Sequence, residues 1–388
     1  VTRYGYEKHL ISREDLTQIR EWNVGPRGRF FAAMANGKRV GVLTFHKCIN
    51  YGSYWQARCL VEHLRGRGFD AHLLDHDCDC VRRAEARCAL QPKLPERTPR
   101  PDLCHYAAKT RKFAEAIARL PLSRRFSLHQ PQTAGDYDSI VVGSDEVWNF
   151  RHPWYGSRPI FFGDGLKAER LVSYAASFGN HSAWDGIDPD WAAKLRKFSA
   201  ISVRDENSWH LVRGGIGAEP QLVLDPCLAF PGSIRAKAQP ANGHALIYGH
   251  NFPDWLKGRV RQWADRTQTR LISIGYANDW ADEQRLSDGP TEFAQGVASA
   301  RAVITNFFHG CVFAMLSSKP WLTAPSEYRS IKIPDLVDSL GSEHRLVDEQ
   351  TPQSGVDELL ATPVLPHVVQ KLDERRERSR AWLDAALA

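Results

Sequence analysis

From Arg39 onward, short apolar runs alternate with polar loops and with segments of helical periodicity. Arg39–Phe45 (RVGVLTF) is apolar and rich in β-formers, as a strand buried on both faces should be. A polar loop, His46 to Ser53, leads into a helix expected over Tyr54–Arg65. Within it Ala57, Leu60, Val61 and Leu64 recur at i, i+3, i+4 and i+7 and give one buried face. Gly66 and Gly68 end it, and Phe69–Asp75 reads as the second strand. Residues 81–135 interrupt the pattern with Arg, Ala and Pro: Gln91–Pro101 reads as a loop and Leu103–Leu120 as a helix. Strands resume at Ser139–Val142, Leu171–Ala175, Ala200–Val203 and Leu222–Leu224. After a Pro-, Gly- and Ala-rich boundary at Pro231–Gly243 they continue at Ala245–Tyr248, Arg270–Ile274, Ala302–Thr305, Trp321–Ala324 and Arg345–Val347. Trp255–Thr267 and Gly310–Ser317 are helices between them, and a charged amphipathic helix ends the chain. Before the first strand, Arg13–Trp22 has helical character and Gly25-Pro26 breaks it.

Strands alternating with helices predict an α/β fold with parallel sheets. The expected organisation is an N-terminal extension (1–38), an N-terminal Rossmann-like domain (39–230), a C-terminal Rossmann-like domain (231–366) and a last helix (367–388). The two domains should face each other across a cleft. No internal repeat links them.

With 388 residues, 43% of them hydrophobic, there is material for two cores. No run approaches the ~20 apolar residues of a membrane span. Val1 to Leu10 show no apolar leader, so a cytoplasmic protein is expected. Eight irregularly spaced cysteines fit reduced thiols, and Cys78-Asp79-Cys80 lacks the second pair that a structural zinc site needs. A net charge of +6 suits an anionic substrate or an acidic surface, and no nucleic-acid-binding motif accompanies it. The densest basic stretch, 81–125, reads either as a solvated face or as a docking surface for anionic lipid-linked sugars, which leaves open peripheral contact with the inner membrane face.

In parallel sheets, ligands bind where strands end. After the first strand come Asn50, Tyr51, Gly52 and Ser53, at a helix start whose amides favour an anion or a hydroxyl-rich ligand; the plainer reading is a Ser53 N-cap. After Ile140–Val142 come Ser144, Asp145 and Trp148. Asp145 could cap a helix or accept sugar hydroxyls, and Trp148 could face a sugar ring or fill a core. Arg204 follows Ile201–Val203, placed either to grip a phosphate or carboxylate or to pair with Asp205 or Glu206. His309-Gly310 follows Val303–Thr305 at a strand-to-helix turn, where a His can donate a proton or bind phosphate. Lys332 could add a third positive charge or be solvated.

Six segments in order resemble the polysaccharide pyruvyl transferase family. They are GVLTFHKCINYGSYWQARCLVEHL (41–64), DYDSIVVGSDEVWN (136–149), SYAASFGN (173–180), ISVRDENS (201–208), LVLDP (222–226) and TNFFHGCVFAMLSSKPW (305–321). The resemblance implies a GT-B-like pair of domains, with phosphoenolpyruvate as donor bound between them and a sugar acceptor, lipid-linked or not. The acceptor is expected on the N-terminal domain, at Asn50, Tyr51, Gly52, Ser53, Ser144, Asp145 and Trp148, and the donor on the C-terminal side. Arg204, His309, Gly310 and Lys332 would hold the donor, with His309 as acid and Asp145 as base. No metal or organic cofactor is called for. Phe307 stands where one branch of the family has Arg, and Gly143-Ser144-Asp145 replaces a glycine triplet; both departures bear on the acceptor. A nucleotide-sugar glycosyltransferase and a non-catalytic sugar-binding protein share the scaffold and remain as alternatives.

Overall fold

The computed structural model describes residues 37–234, 243–324 and 331–388. The helix expected at Arg13–Trp22 and part of the boundary at Pro231–Gly243 lie outside the described residues. The first half is built on β1 (Arg39–Leu43), β2 (Asp70–Leu73), β5 (Asp136–Val142), β6 (Lys167–Ala176), β7 (Ala200–Val203) and β8 (Gln221–Leu222), with a small pair, β3 (His76–Asp77) and β4 (Phe126–Ser127), beside it. Its helices are α1 (Tyr51–Gly66), α2 (Asp79–Leu90), α3 (Arg100–Ala118), α4 (Pro189–Leu195), α5 (Glu206–Ile216) and α6 (Pro226–Ala229). The second half contains β9 (His244–Tyr248), β10 (Arg270–Ile274), β11 (Glu283–Arg285), β12 (Ala302–Thr305) and β13 (Trp321–Thr323). Helices α7 (Asp254–Thr267), α8 (Pro290–Ser299), α9 (Phe308–Leu316), α10 (Lys332–Leu340), α11 (Gln353–Ala361) and α12 (Pro366–Leu387) complete it.

Both main sheets are parallel throughout. The first runs β2-β1-β5-β6-β7-β8 and the second β11-β10-β9-β12-β13. In each, the chain first builds outward on one side and then crosses to the other. The reversal falls between β1 and β5 in the first sheet and between β9 and β12 in the second, so the loops leaving those strands diverge and open a crevice.

The halves are joined by specific contacts. Tyr51 Oη donates to Asp288 O at 2.6 Å and its ring stacks on Phe293. Trp55 Nε1 donates to Pro290 O at 3.0 Å. Helix α12 returns to the first half: Ser379 Oγ accepts from Leu224 N, and Arg376 Nε donates to Leu228 O. Among the described residues, no helix is long and apolar enough to cross a membrane.

Three local expectations change. Arg345–Val347 is not a strand; a 3-10 turn at Glu343–Arg345 precedes a single bridge from Leu346 to Thr323. The buried Arg345 guanidinium forces this, since it donates to the carbonyls of Trp321, Leu359, Thr362 and Pro363. Helix α2 forms where only an irregular Arg- and Ala-rich stretch was read. Helix α1 begins three residues early, because Asn50 rather than Ser53 caps it: Asn50 Oδ1 accepts from Ser53 N at 3.2 Å.

Candidate active site

A cavity of about 310 Å3 opens where the crevices of both sheets face each other. Asn50 and Ser53 line it from the β1 loop, Asp145 and Glu146 from the β5 loop, and Arg204 from the end of β7. Tyr248 and His250 enter from β9, His309 from the start of α9 and Lys332 from α10.

Arg204 is the hub. Its side chain is only 2% exposed, and its Nη1 lies 3.2 Å from Asp225 Oδ2 while Nη2 lies 3.4 Å from Asp145 Oδ1. Nη1 also donates to Gln56 Oε1 at 3.4 Å, and the guanidinium sits over the Phe308 ring at 4.7 Å. Among the described residues no ion pair joins Arg204 to Asp205 or Glu206. Asp205 instead caps α5 by accepting from Ser208 N at 2.7 Å. So the loop-holding pair considered from sequence is absent there, and Arg204 points into the site.

Asp145 adopts φ +83°, a left-handed conformation that is costly for a residue with a side chain. A backbone bridge to Ala176 and a bond from Ser177 N to Asp145 O hold it there. Its Oδ2 accepts from Ser53 Oγ at 2.7 Å. Burial alone would raise this carboxyl, but Arg204, His309, the Ser53 hydroxyl and Lys332 outweigh it and hold it below its ordinary value. Glu146 behaves likewise: burial opposes ionisation, and the Lys332 ammonium bound to it wins.

His309 is the second residue of α9, and its Nε2 lies 3.4 Å from Asp225 Oδ2, at ion-pair distance though without hydrogen-bond geometry. Its ring packs on Gly52, where any Cβ would overlap it. Asp225 therefore serves both Arg204 and His309 through one oxygen. Burial would raise the Asp225 carboxyl, yet His309 and Arg204 pull it down to about 2. In the sequence Asp225 stands out only by its place after a strand, within the segment LVLDP. Glu146 was likewise overlooked beside Asp145.

Other expected site residues sit elsewhere. Trp148 is buried among Phe162, Phe178 and Phe198, and its Nε1 donates to Phe161 O at 2.8 Å. It is core, not a sugar platform. Tyr51 fills the interface between the halves. Ser144 Oγ donates to Gln56 Oε1 at 2.6 Å, so it positions Gln56 behind Arg204 rather than facing the cavity. The Gly310 amide is not free for an anion, because it donates to Phe307 O at 2.9 Å; the glycine is required because a side chain would overlap Thr305.

Asp225, Cys227 and His309 approach closely enough to suggest a metal set. The chemistry argues against one. Burial pushes the Cys227 thiol well up, and Arg204 already occupies the Asp225 oxygen that a cation would need.

The fold is that of GT-B-like enzymes. A candidate UDP-N-acetylglucosamine 2-epimerase from Listeria monocytogenes shares it at a TM-score of 0.50 and 10% identity, over 87% of this chain and 90% of that one. The UDP-GlcNAc 2-epimerase of Methanocaldococcus jannaschii, solved with UDP-GlcNAc and UDP, is similar at a TM-score of 0.48 and 12% identity, over 89% and 99%. No curated protein matches the sequence. Residues 50–324 match the family described as polysaccharide pyruvyl transferase, and that span contains every cavity-lining strand end described above apart from the neighbouring Lys332; the chain belongs to this family.

Proposed function

We propose that the protein transfers pyruvate from phosphoenolpyruvate to a sugar of a polysaccharide, an oligosaccharide or a lipid-linked precursor, forming a ketal. The observation that carries this reading is the meeting of Arg204, from the first half, with His309 and Lys332, from the second, in one cavity walled by carboxylates. Arg204 and Lys332 hold the phosphate and carboxylate of the donor. His309 protonates the methylene carbon, C2 becomes cationic, and a sugar hydroxyl adds to it while Asp145 takes the hydroxyl proton. Phosphate then leaves C2, a second hydroxyl of the sugar adds to the oxocarbenium carbon and gives its proton to the departing phosphate, and the ketal closes.

The charges impose a condition. Two permanent cations, Arg204 and Lys332, face three carboxylates, Asp145, Glu146 and Asp225. An anionic donor therefore has to replace a carboxylate at a cation. Arg204 is held by carboxylates on two sides, and Lys332 pairs with Glu146. Glu146 remains tied by Asn149 Nδ2 at 2.8 Å when Lys332 turns to the donor.

Incubation with phosphoenolpyruvate and candidate glycans, followed by mass spectrometry, tests the reading. A product carrying one pyruvate as a ketal, with phosphate released, is expected. Release of UDP or GDP from a nucleotide sugar, with no pyruvate gained, would overturn it in favour of glycosyl transfer.

A further inference from the structure

Lys109 lies on α3 in the first half and is 4% exposed, yet it lines the same cavity. Its Nζ donates to Gly275 O, across the interface, at 3.0 Å. The rings of Tyr51 and Tyr276 lie 4.8 Å and 4.7 Å from the ammonium. Among the described residues no carboxylate stands at ion-pair distance from it, whereas Arg204 and Lys332, the other cations of the cavity, are both paired. A buried ammonium with one carbonyl and two ring faces is only partly compensated for lost hydration. An apolar side chain would bridge the two halves at lower cost, so joining them does not account for a lysine.

We propose that Lys109 is a second anion seat, receiving a phosphate or diphosphate group carried by the sugar acceptor. This rests on the transferase reading, in which the donor takes Arg204, His309 and Lys332 and leaves Lys109 for the second substrate. One N–H of Lys109 is engaged by Gly275, so two remain for acceptor oxygens. The linkage could join the sugar to a nucleoside or to a lipid; the chemistry at Lys109 is the same.

Burial pushes the Lys109 amine down to about 7, with the Cys88 thiol on α2 opposing this in part. The other groups around it are the phenols of Tyr51 and Tyr276, and Glu85, on the same cavity wall, whose carboxyl burial pushes up. An anion arriving at Lys109 favours the charged amine, so binding near pH 7.5 should take up a proton (about one at most).

The experiment is calorimetry with pyrophosphate on protein saturated with phosphoenolpyruvate, in buffers of different ionisation heat. Pyrophosphate should bind on top of phosphoenolpyruvate, with proton uptake, and Lys109→Met should weaken it at least roughly tenfold while phosphoenolpyruvate binding stays within about twofold. If the variant does not fold, proton uptake by the unaltered protein decides. Pyrophosphate binding without uptake, competition with phosphoenolpyruvate, or equal binding by Lys109→Met would each overturn the seat. Failure of phosphoenolpyruvate itself to bind would overturn the transferase reading instead. A sugar carried on UDP, compared with the same sugar on a short polyprenyl diphosphate and as a methyl glycoside, separates the two sources. Both diphosphates should show a lower KM than the glycoside with the native protein, and lose that advantage with Lys109→Met.

Discussion

Replacing Asp225 by Asn removes one negative charge at nearly constant shape. The cap survives, because Asn can still accept from Cys227 N, which Asp225 Oδ1 does at 2.9 Å. What is lost is the charge on Oδ2, which lies 3.2 Å from Arg204 and 3.4 Å from His309. Breaking a buried pair by removing one partner costs about 3–5 kcal/mol. Here Arg204 keeps Asp145, so the cost should fall toward about 2–3 kcal/mol. Linkage gives a second route to the magnitude. Burial would raise the Asp225 carboxyl, but His309 and Arg204 bring it from 3.8 to about 2. That difference is worth about 2–3 kcal/mol at neutral pH, in line with the first figure. The sign follows from the depressed value. The stabilisation is fully present above about pH 4 and is lost as pH falls through about 2. Urea unfolding of the native protein and of Asp225→Asn at a series of pH values is the assay. The native protein should be more stable by about 2–3 kcal/mol at pH 7, and the gap should close between about pH 4 and pH 2. Equal urea midpoints at pH 7, or a gap that persists unchanged down to pH 2, would refute the assignment of Asp225 as the shared anchor of Arg204 and His309.

Arg204→Lys should bind phosphoenolpyruvate poorly, because an ammonium cannot span Asp145, Asp225 and a ligand as the planar fork does; normal binding by titration would return Arg204 to a structural role. Gly52→Ala should lower turnover by roughly 10²-fold and also lower the melting temperature, since the added methyl overlaps the buried His309 ring and overpacking costs about 1–3 kcal/mol; unaltered kinetics would show that the ring position is not critical. His309→Gln should lower turnover by roughly 10²–10⁴-fold if the imidazole is the acid, and raise the KM for phosphoenolpyruvate instead if it only binds phosphate. Exhaustive chelation should leave activity intact, and loss rescued by one added metal would point back to Asp225, Cys227 and His309.

The sequence alone located the buried strands well. Ala200–Val203, Arg270–Ile274 and Ala302–Thr305 end where expected, because strands covered on both faces must be apolar throughout. β11, with the sequence Glu-Gln-Arg, lies at the edge of its sheet and carries no such signature. Helix α2 buries only Val81 and Glu85, so its periodicity is faint.

Chemistry was legible in the same measure, and for a related reason. A strand end is a local property, so Asp145, Arg204 and His309 could be picked out from the runs that precede them. Which strand ends face one another depends on strand order, and no local pattern carries that. Asp225 follows β8 at the edge of the first sheet, yet the path of the chain after that strand brings its carboxylate between Arg204 and His309. Lys109 shows the converse. By composition it belongs to a basic helix in which Arg111 is exposed, and only the docking of α3 against the loop after β10 turns it inward. Trp148 has the local setting of a ligand platform and is core, because Phe162, Phe178 and Phe198 close over it. Residue type and strand position thus set what a side chain can do. The partner it meets is set by the topology, through the two crevices where strand order reverses, and there the pairs Arg204–Asp225 and Lys332–Glu146 decide which cations a substrate must win from a carboxylate.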